Sequence, residues 1–253
     1  METFLIILET VAAFLLVAAT VYLIVRELRF AAFKRKLPAV PKNFTITAHT
    51  GCLGTEPNSI ESMEKGLKTG ASIIEFDLQF LENGKPVLSH DSPKDDAVGL
   101  DDAFSFLSKH NELKANIDVK TTAHLEKVNE YAEKYGVLDR IFFTGIFPKD
   151  VSAVERFCPK IPYYLNFSVS AHGSYNAAYI SHIVETVENC GAIGINTYYK
   201  GVSKELVEAF HEKGLLVSVW TVNSRTSICK MLKLLPDNIT TKYPDKIRKI
   251  MEK

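Results

Sequence analysis

Eight times between residues 44 and 252, a short apolar or β-branched run is followed by a stretch with apolar residues at helical spacing. This alternation constrains the fold more than any other feature. Strands that pair in parallel need a crossover between them, usually a helix. The runs predict strands at Phe44–His49, Ser72–Phe80, Ala115–Lys120, Ile141–Gly145, Tyr163–Phe167, Ala192–Thr197, Leu215–Val222 and Asn238–Lys242. Between them, helices are expected at Ser59–Leu67, Asp101–Lys109, His124–Tyr135, Val151–Phe157, Ala177–Glu188, Lys204–Lys213 and Arg225–Leu235, with a last one at Asp245–Glu252. Local punctuation agrees. Ser203 stands where an N-cap belongs, and Gly136, Gly191 and Gly214 stand where three helices should stop. Asn83-Gly84 reads as a hairpin turn that returns Pro86–His90 alongside the second strand. Eight βα units in one run point to an α/β fold, a (β/α)8 TIM barrel. A doubly wound open sheet is the runner-up, but no GxGxxG or GxxxxGK[ST] loop supports it.

Ahead of the alternation, Phe4–Val25 is apolar except for Glu9, Thr10 and Thr20. As a helix these 22 residues would span roughly 33 Å, enough to cross a hydrocarbon core. A cleaved signal peptide would want a basic n-region and a shorter apolar core; here the n-region carries Glu2, and the run continues through Tyr22, Leu23, Ile24 and Val25. The expectation is a transmembrane anchor with a basic flank over 1–36, followed by a barrel domain over 37–253. Arg26, Arg29, Lys34, Arg35 and Lys36 follow the span and none precede it, which places the body in the cytoplasm by the positive-inside rule. Over the whole chain 30 basic residues balance 30 acidic ones; without the first 36 residues the body is left at −2. Such a body has no electrostatic footprint for nucleic acid. Cys52, Cys158, Cys190 and Cys229 are widely spaced with no CxxC pair, which fits reduced, buried thiols.

Polar residues gather where the strands should end, and in a barrel chemistry sits at the carboxyl ends of the strands. The first strand ends at His49. The second contains Glu75 and Asp77, two apart and therefore on one face. Two carboxylates on one face of an apolar strand are costly unless something neutralises them, and a hard divalent cation suits oxygen ligands. The returning strand delivers His90, and the third ends with Asp118 and Lys120, again two apart. Singly, each has a duller reading: a satisfied polar histidine, a solvated acidic edge, a structural ion pair. Together they suit phosphoryl transfer, with a cation and a lysine for phosphate oxygens and two imidazoles for acid and base.

With AHTG (48–51), the long segment 57–91 that opens PNSIESMEKG and closes VLSHD, NIDVK (116–120), LVSVWTVN (216–223) and ITTKYPD (239–245), the chain resembles the glycerophosphodiester phosphodiesterase family over about residues 44–246. The resemblance implies a metal-dependent (β/α)8 hydrolase that splits glycerophosphodiesters into sn-glycerol 3-phosphate and an alcohol. It implies His49 and His90 as the acid/base pair, and Glu75, Asp77 and Asp118 as ligands of Mg²⁺ or Ca²⁺. Lys120, Asn58, Trp220 and Thr50 would lie on the substrate side; Trp220 serves equally well as barrel packing. Thr50 stands where the family carries a phosphate-contacting Arg, so Thr50→Arg is expected to raise kcat/KM. Asp118 replaces a usual Glu, Lys242 replaces a usual Asp, and Glu56 is displaced by one position from the family's Pro-Glu-Asn. The family's insertion after His-Asp is cut to Ser92–Leu100. A lysophospholipid therefore becomes a second substrate candidate beside glycerophosphodiesters. A catalytically silent barrel that binds a phosphorylated headgroup or a protein is the alternative.

Overall fold

The computed structural model describes residues 2–170 and 172–252. They fall into two compact units, the N-terminal segment through Ala39 and the body Val40–Glu252.

The first unit is a single helix, α1 (Glu2–Lys34), longer than the apolar run that predicted it. Its stretch Glu9–Lys34 is long and apolar enough to cross a membrane. Phe14, Leu15, Leu16, Val17 and Tyr22 are all exposed. A helix that is apolar all round is suited to a lipid environment or a protein interior.

The body is a closed barrel. Its strands are β1 (Thr45–Ala48), β2 (Ile73–Phe80), β3 (Pro86–Leu88), β4 (Lys114–Val119), β5 (Ile141–Ile146), β6 (Tyr163–Phe167), β7 (Gly194–Tyr198), β8 (Leu216–Trp220) and β9 (Asn238–Thr241). Parallel pairing runs β1-β2-β4-β5-β6-β7-β8-β9 and closes between β9 and β1. All eight sequence-predicted strands are present. The ninth, β3, is the expected hairpin return, antiparallel to β2 with Leu78 opposite Leu88. Gly84 makes its turn at φ 78, in the left-handed region.

The helices α2 (Ile60–Lys68), α3 (Leu100–Ser108), α4 (Glu126–Tyr135), α5 (Val151–Phe157), α6 (Ala177–Asn189), α7 (Lys204–Glu212), α8 (Arg225–Leu234) and α9 (Pro244–Met251) complete the alternation. Ser203 caps α7 as expected, its hydroxyl accepting from the Leu206 amide at 3.2 Å. Most boundaries move by one or two residues; α4 begins at Glu126 rather than His124, because His124 sits at φ 59 and cannot continue a right-handed helix.

The apolar core includes Ile74, Phe76, Leu78, Ile117, Phe143 and Phe210, all buried. Close approach sets the packing of α2: a Cβ on Gly66 would lie 2.9 Å from that of Ala48 and 3.2 Å from Ile74 Cγ2. A second set of buried side chains is polar. Thr47 donates to Asn238 Oδ1 at 2.8 Å, and Asn238 Nδ2 donates to the Ser218 hydroxyl at 3.0 Å. The strands are thus buried on both sides, but one face is a hydrogen-bonded lattice rather than an apolar layer.

Candidate active site

Residues placed by strand alternation meet at the carboxyl ends of the strands. Glu75 and Asp77, two apart on β2, both face a cavity of about 440 Å³; Asp118 joins them from β4, where Asp77 and Asp118 are direct register partners. Their carboxylate oxygens lie within 4.8 Å of one another. Glu75 and Asp77 are 7% and 3% exposed, so the cluster is largely shielded from water. Burial, reinforced by the neighbouring charges of Asp77 and Asp118, pushes the Glu75 carboxyl well above the usual range.

Lys120 is the cation this cluster owns. Its ammonium lies 2.8 Å from Asp77 and also bonds Asp118. Burial works against its charge, yet Asp118 and Asp77 together raise its pKa. One ammonium against three carboxylates leaves the cluster short of positive charge. Three hard oxygen donors in a buried, under-neutralised group fit a divalent cation of the Mg²⁺ or Ca²⁺ class.

The two histidines both follow strands that pair with the edge of β2 opposite β4. His49 follows β1, anchored by its amide on the Thr241 carbonyl at 2.9 Å. Its Nδ1 lies 2.7 Å from the Thr50 carbonyl and 3.9 Å from Glu75 Oε2. A carbonyl can only accept, so Nδ1 carries the proton in that bond and the lone pair resides on Nε2. Burial lowers the His49 pKa, against the opposing pull of the Thr50 carbonyl and of Asp77. Lys242 adds a smaller lowering effect. His90 is delivered by the hairpin, where the Ser89 amide donates to the Asp77 carbonyl at 3.1 Å. It is exposed, with Nδ1 2.9 Å from the Asp91 carboxylate. Both histidines, the three carboxylates, Lys120 and Trp220 line one cavity.

Thr50 and Asn58 take a different place from the expected one. Neither lines the cavity. Thr50 is 4% exposed; its amide donates to Glu75 Oε2 at 2.8 Å, and its hydroxyl accepts from the Asn58 amide at 2.5 Å. Asn58 sits at φ 56, a left-handed conformation that Asn tolerates. Its carboxamide clamps Asp77 twice, donating to Oδ2 and accepting from the Asp77 amide, both at 2.9 Å. These two residues hold the carboxylates in place. The expectation that Thr50 stands in for a phosphate-contacting arginine is corrected accordingly, because its hydroxyl is turned to the β1–α2 loop.

Sequence reasoning missed Asn116, Thr144, Asn166 and Asn196, which line the cavity floor. The Thr144 hydroxyl lies 2.8 Å from Asp118 Oδ1 and 2.9 Å from Asn116 Oδ1, and its single proton is shared between the two acceptors. Asn166 accepts from the Gly145 amide at 3.0 Å, beside a register shift in β5 where Gly145 adopts φ 76. A Cβ on Gly145 would lie 2.4 Å from the Val119 carbonyl oxygen. Asn116 was recoverable, since it precedes Asp118 by two and so shares its face. Thr144 required the register of β5 on β4, which no local signal encodes.

Comparison with known proteins bears on this geometry. The family model described as glycerophosphoryl diester phosphodiesterase matches residues 49–120 and 96–246. A glycerophosphodiester phosphodiesterase of Bacillus altitudinis is 24% identical over 246 residues, covering 82% of this chain and 98% of that protein. Another, from Bacillus subtilis, is 23% identical, covering 83% and 87%. Among solved structures, a glycerophosphodiester phosphodiesterase from Parabacteroides distasonis aligns with a TM-score of 0.68 at 19% identity, over 85% of this chain and 98% of that one. An Oleispira antarctica phosphodiesterase in complex with the product sn-glycerol-3-phosphate aligns with a TM-score of 0.69 at 17% identity, over 85% and 98%. The matched residues take in His49, Glu75, Asp77, His90, Asp118 and Lys120, and this chain belongs to the glycerophosphoryl diester phosphodiesterase family.

Proposed function

We propose that the chain hydrolyses glycerophosphodiesters to sn-glycerol 3-phosphate and an alcohol, using Mg²⁺ or Ca²⁺ held by Glu75, Asp77 and Asp118. The observation that carries this reading is the convergence of three carboxylates, one lysine and two histidines on a single cavity. The bound cation would neutralise phosphate charge and make phosphorus a better electrophile.

The chain's own groups supply the rest. His49, with Nδ1–H donated to the Thr50 carbonyl, presents Nε2 as a base that takes a proton from the attacking water. A new P–O bond forms as the bond to the leaving oxygen breaks. His90, oriented through Nδ1 by Asp91, hands a proton to that oxygen from Nε2. Lys120 offers a permanent ammonium to a non-bridging phosphate oxygen. Asn58 keeps Asp77 aimed into the cavity.

The membrane is the second part of the proposal. α1 serves as a single-pass anchor, and the five basic residues that follow Val25 keep the barrel on the cytoplasmic side. The test is direct: incubate the full chain with glycerophosphocholine and measure sn-glycerol 3-phosphate with Mg²⁺, Ca²⁺ or EDTA. Product with a cation and none in EDTA supports the reading. No product under any condition, with the phosphodiester still bound, would make this a silent binding barrel.

A further inference from the structure

Strand alternation carries one more charged side chain to the barrel mouth. β9 pairs with β1 so that Asn238 stands opposite Thr45 and Thr240 opposite Thr47. Thr47 and Asn238 bond to each other inside the barrel, and Thr240 lines the cavity. One rung further on, the same register sets Lys242 beside His49. The bond from the His49 amide to the Thr241 carbonyl, at 2.9 Å, extends the pairing to that rung. Residues two apart share a face of a strand, so Lys242 follows Asn238 and Thr240 on the inner side. Across the other edge of β1 the rung continues to Glu75, since Thr47 pairs with Ile73. Lys242, His49 and Glu75 thus occupy one level on three adjacent strands.

The backbone of Lys242 is fixed on both sides. Its amide donates to Asn223 Oδ1 at 2.9 Å, and its carbonyl accepts from the Leu53 amide at 3.0 Å. The side chain is half-buried, and among the described residues no carboxylate pairs with its ammonium. That ammonium lies over the turn after His49, 3.6 Å from where a Cβ on Gly51 would sit. Its charge reaches the imidazole, where it works against protonation. Lys120 differs, because its ammonium is committed to Asp77 and Asp118. A half-buried cation without a carboxylate partner, one strand from the base, is placed to meet an anionic ligand.

We propose that Lys242 is a second phosphate-binding cation, which holds the non-bridging oxygen of the phosphodiester that faces β9 and β1. This rests on the phosphodiesterase reading above. A phosphodiester carries two non-bridging oxygens. Lys120 and the carboxylates lie on the β2 and β4 side and account for one of them. On the other side Thr50 and Asn58 are taken up with Glu75 and Asp77 and offer no charge. Lys242 supplies that charge from the last strand. The Asp that the family resemblance leads one to expect here could not serve in this way. Substrate and product both keep the oxygen that Lys242 holds, so removing the contact weakens binding more than it slows the bound complex.

The test uses the full chain in detergent with Mg²⁺ or Ca²⁺. For the unaltered chain, Lys242→Gln and Lys242→Arg, kcat and KM are measured on glycerophosphocholine, with sn-glycerol 3-phosphate as inhibitor. Binding of inorganic phosphate is followed by calorimetry. Lys242→Gln should raise KM and weaken both anions by roughly 10- to 100-fold, the scale of one hydrogen bond to a charged group. Its kcat should change little. Lys242→Arg, which keeps the charge, should recover part of the loss. Unchanged KM and phosphate binding in a folded Lys242→Gln overturn the assignment, as does a loss of which Lys242→Arg recovers nothing. A fall in kcat with anion binding intact also overturns it, and makes Lys242 a positioning residue that acts through His49. If Lys242→Gln does not fold, Lys242→Met, which keeps the stem without the charge, takes its place. No hydrolysis by the unaltered chain removes the phosphodiesterase reading, while phosphate binding by the variants still decides whether Lys242 holds the anion.

Discussion

Thr50 shows how far a side chain's identity is from its role. A threonine in place of an arginine reads, in one dimension, as a lost phosphate contact. In three dimensions its hydroxyl accepts the Asn58 amide and its own amide holds Glu75. Thr50→Arg must therefore force a long cation into a buried site and strip Asn58 of its partner. It should lower kcat/KM and thermal stability together. Thr50→Val, which keeps the shape and removes the acceptor, should cost about 1–3 kcal/mol, the scale for an unsatisfied buried donor; denaturant unfolding reads it. At the histidines, His49→Ala and His90→Ala should each slow turnover by about 10²–10⁴. The double variant should lose less than the product of the two, because both act on one reaction coordinate. Near wild-type turnover in either single variant would make that histidine structural. The thiols offer a test of pH dependence. Burial raises Cys52 to about 11 and Cys158 to about 12. Their folded-state values lie above the unfolded one, so stability is intact below about pH 9 and falls as pH rises toward 11–12. At pH 8 a thiol reagent should label the partly exposed Cys190 first and reach Cys52, Cys158 and Cys229 only on unfolding.

Elements were more legible than contacts. Ser203 announced α7 by local chemistry alone, and Ser203→Ala should cost about 0.5–2 kcal/mol by thermal melting. Alternation placed all eight barrel strands, because parallel strands and their crossover helices differ in period, and period is written in sequence. The same period-two logic put Glu75 with Asp77 and Asp118 with Lys120 on shared faces. It could not tell which side of the barrel wall would be polar: Asn238 and Thr47 lie in runs that read as ordinary buried strands, yet form a hydrogen-bonded lattice. Nor could it supply the bulge at Gly145 or the register that sets Thr144 against Asp118, since both depend on neighbours distant in sequence. Gly194 is a similar case. A Cβ there would lie 2.0 Å from the Leu216 carbonyl oxygen, within the β7–β8 pair. Gly194→Ala should destabilise the barrel by about 1–3 kcal/mol or more, as overpacking does.

For the molecule as a whole, the long apolar helix ahead of the barrel carries the proposal of a membrane anchor. If α1 is an anchor, the full chain will remain in the membrane pellet after alkaline carbonate washing and will enter detergent. Recovery in the carbonate supernatant would argue for a released leader or a soluble helix. The charge of the barrel mouth is equally a whole-molecule property. Three carboxylates from two strands share one lysine, and that imbalance is what the proposed cation would correct. The measurement that tests this most directly is calorimetric titration of Mg²⁺ or Ca²⁺ into the full chain and into Asp77→Asn, with glycerophosphocholine hydrolysis followed in the same samples. One tightly held cation per chain is expected, lost in Asp77→Asn together with hydrolysis while the fold persists by circular dichroism. Full hydrolysis in EDTA, or by Asp77→Asn with no cation bound, would contradict the metal-assisted phosphodiesterase.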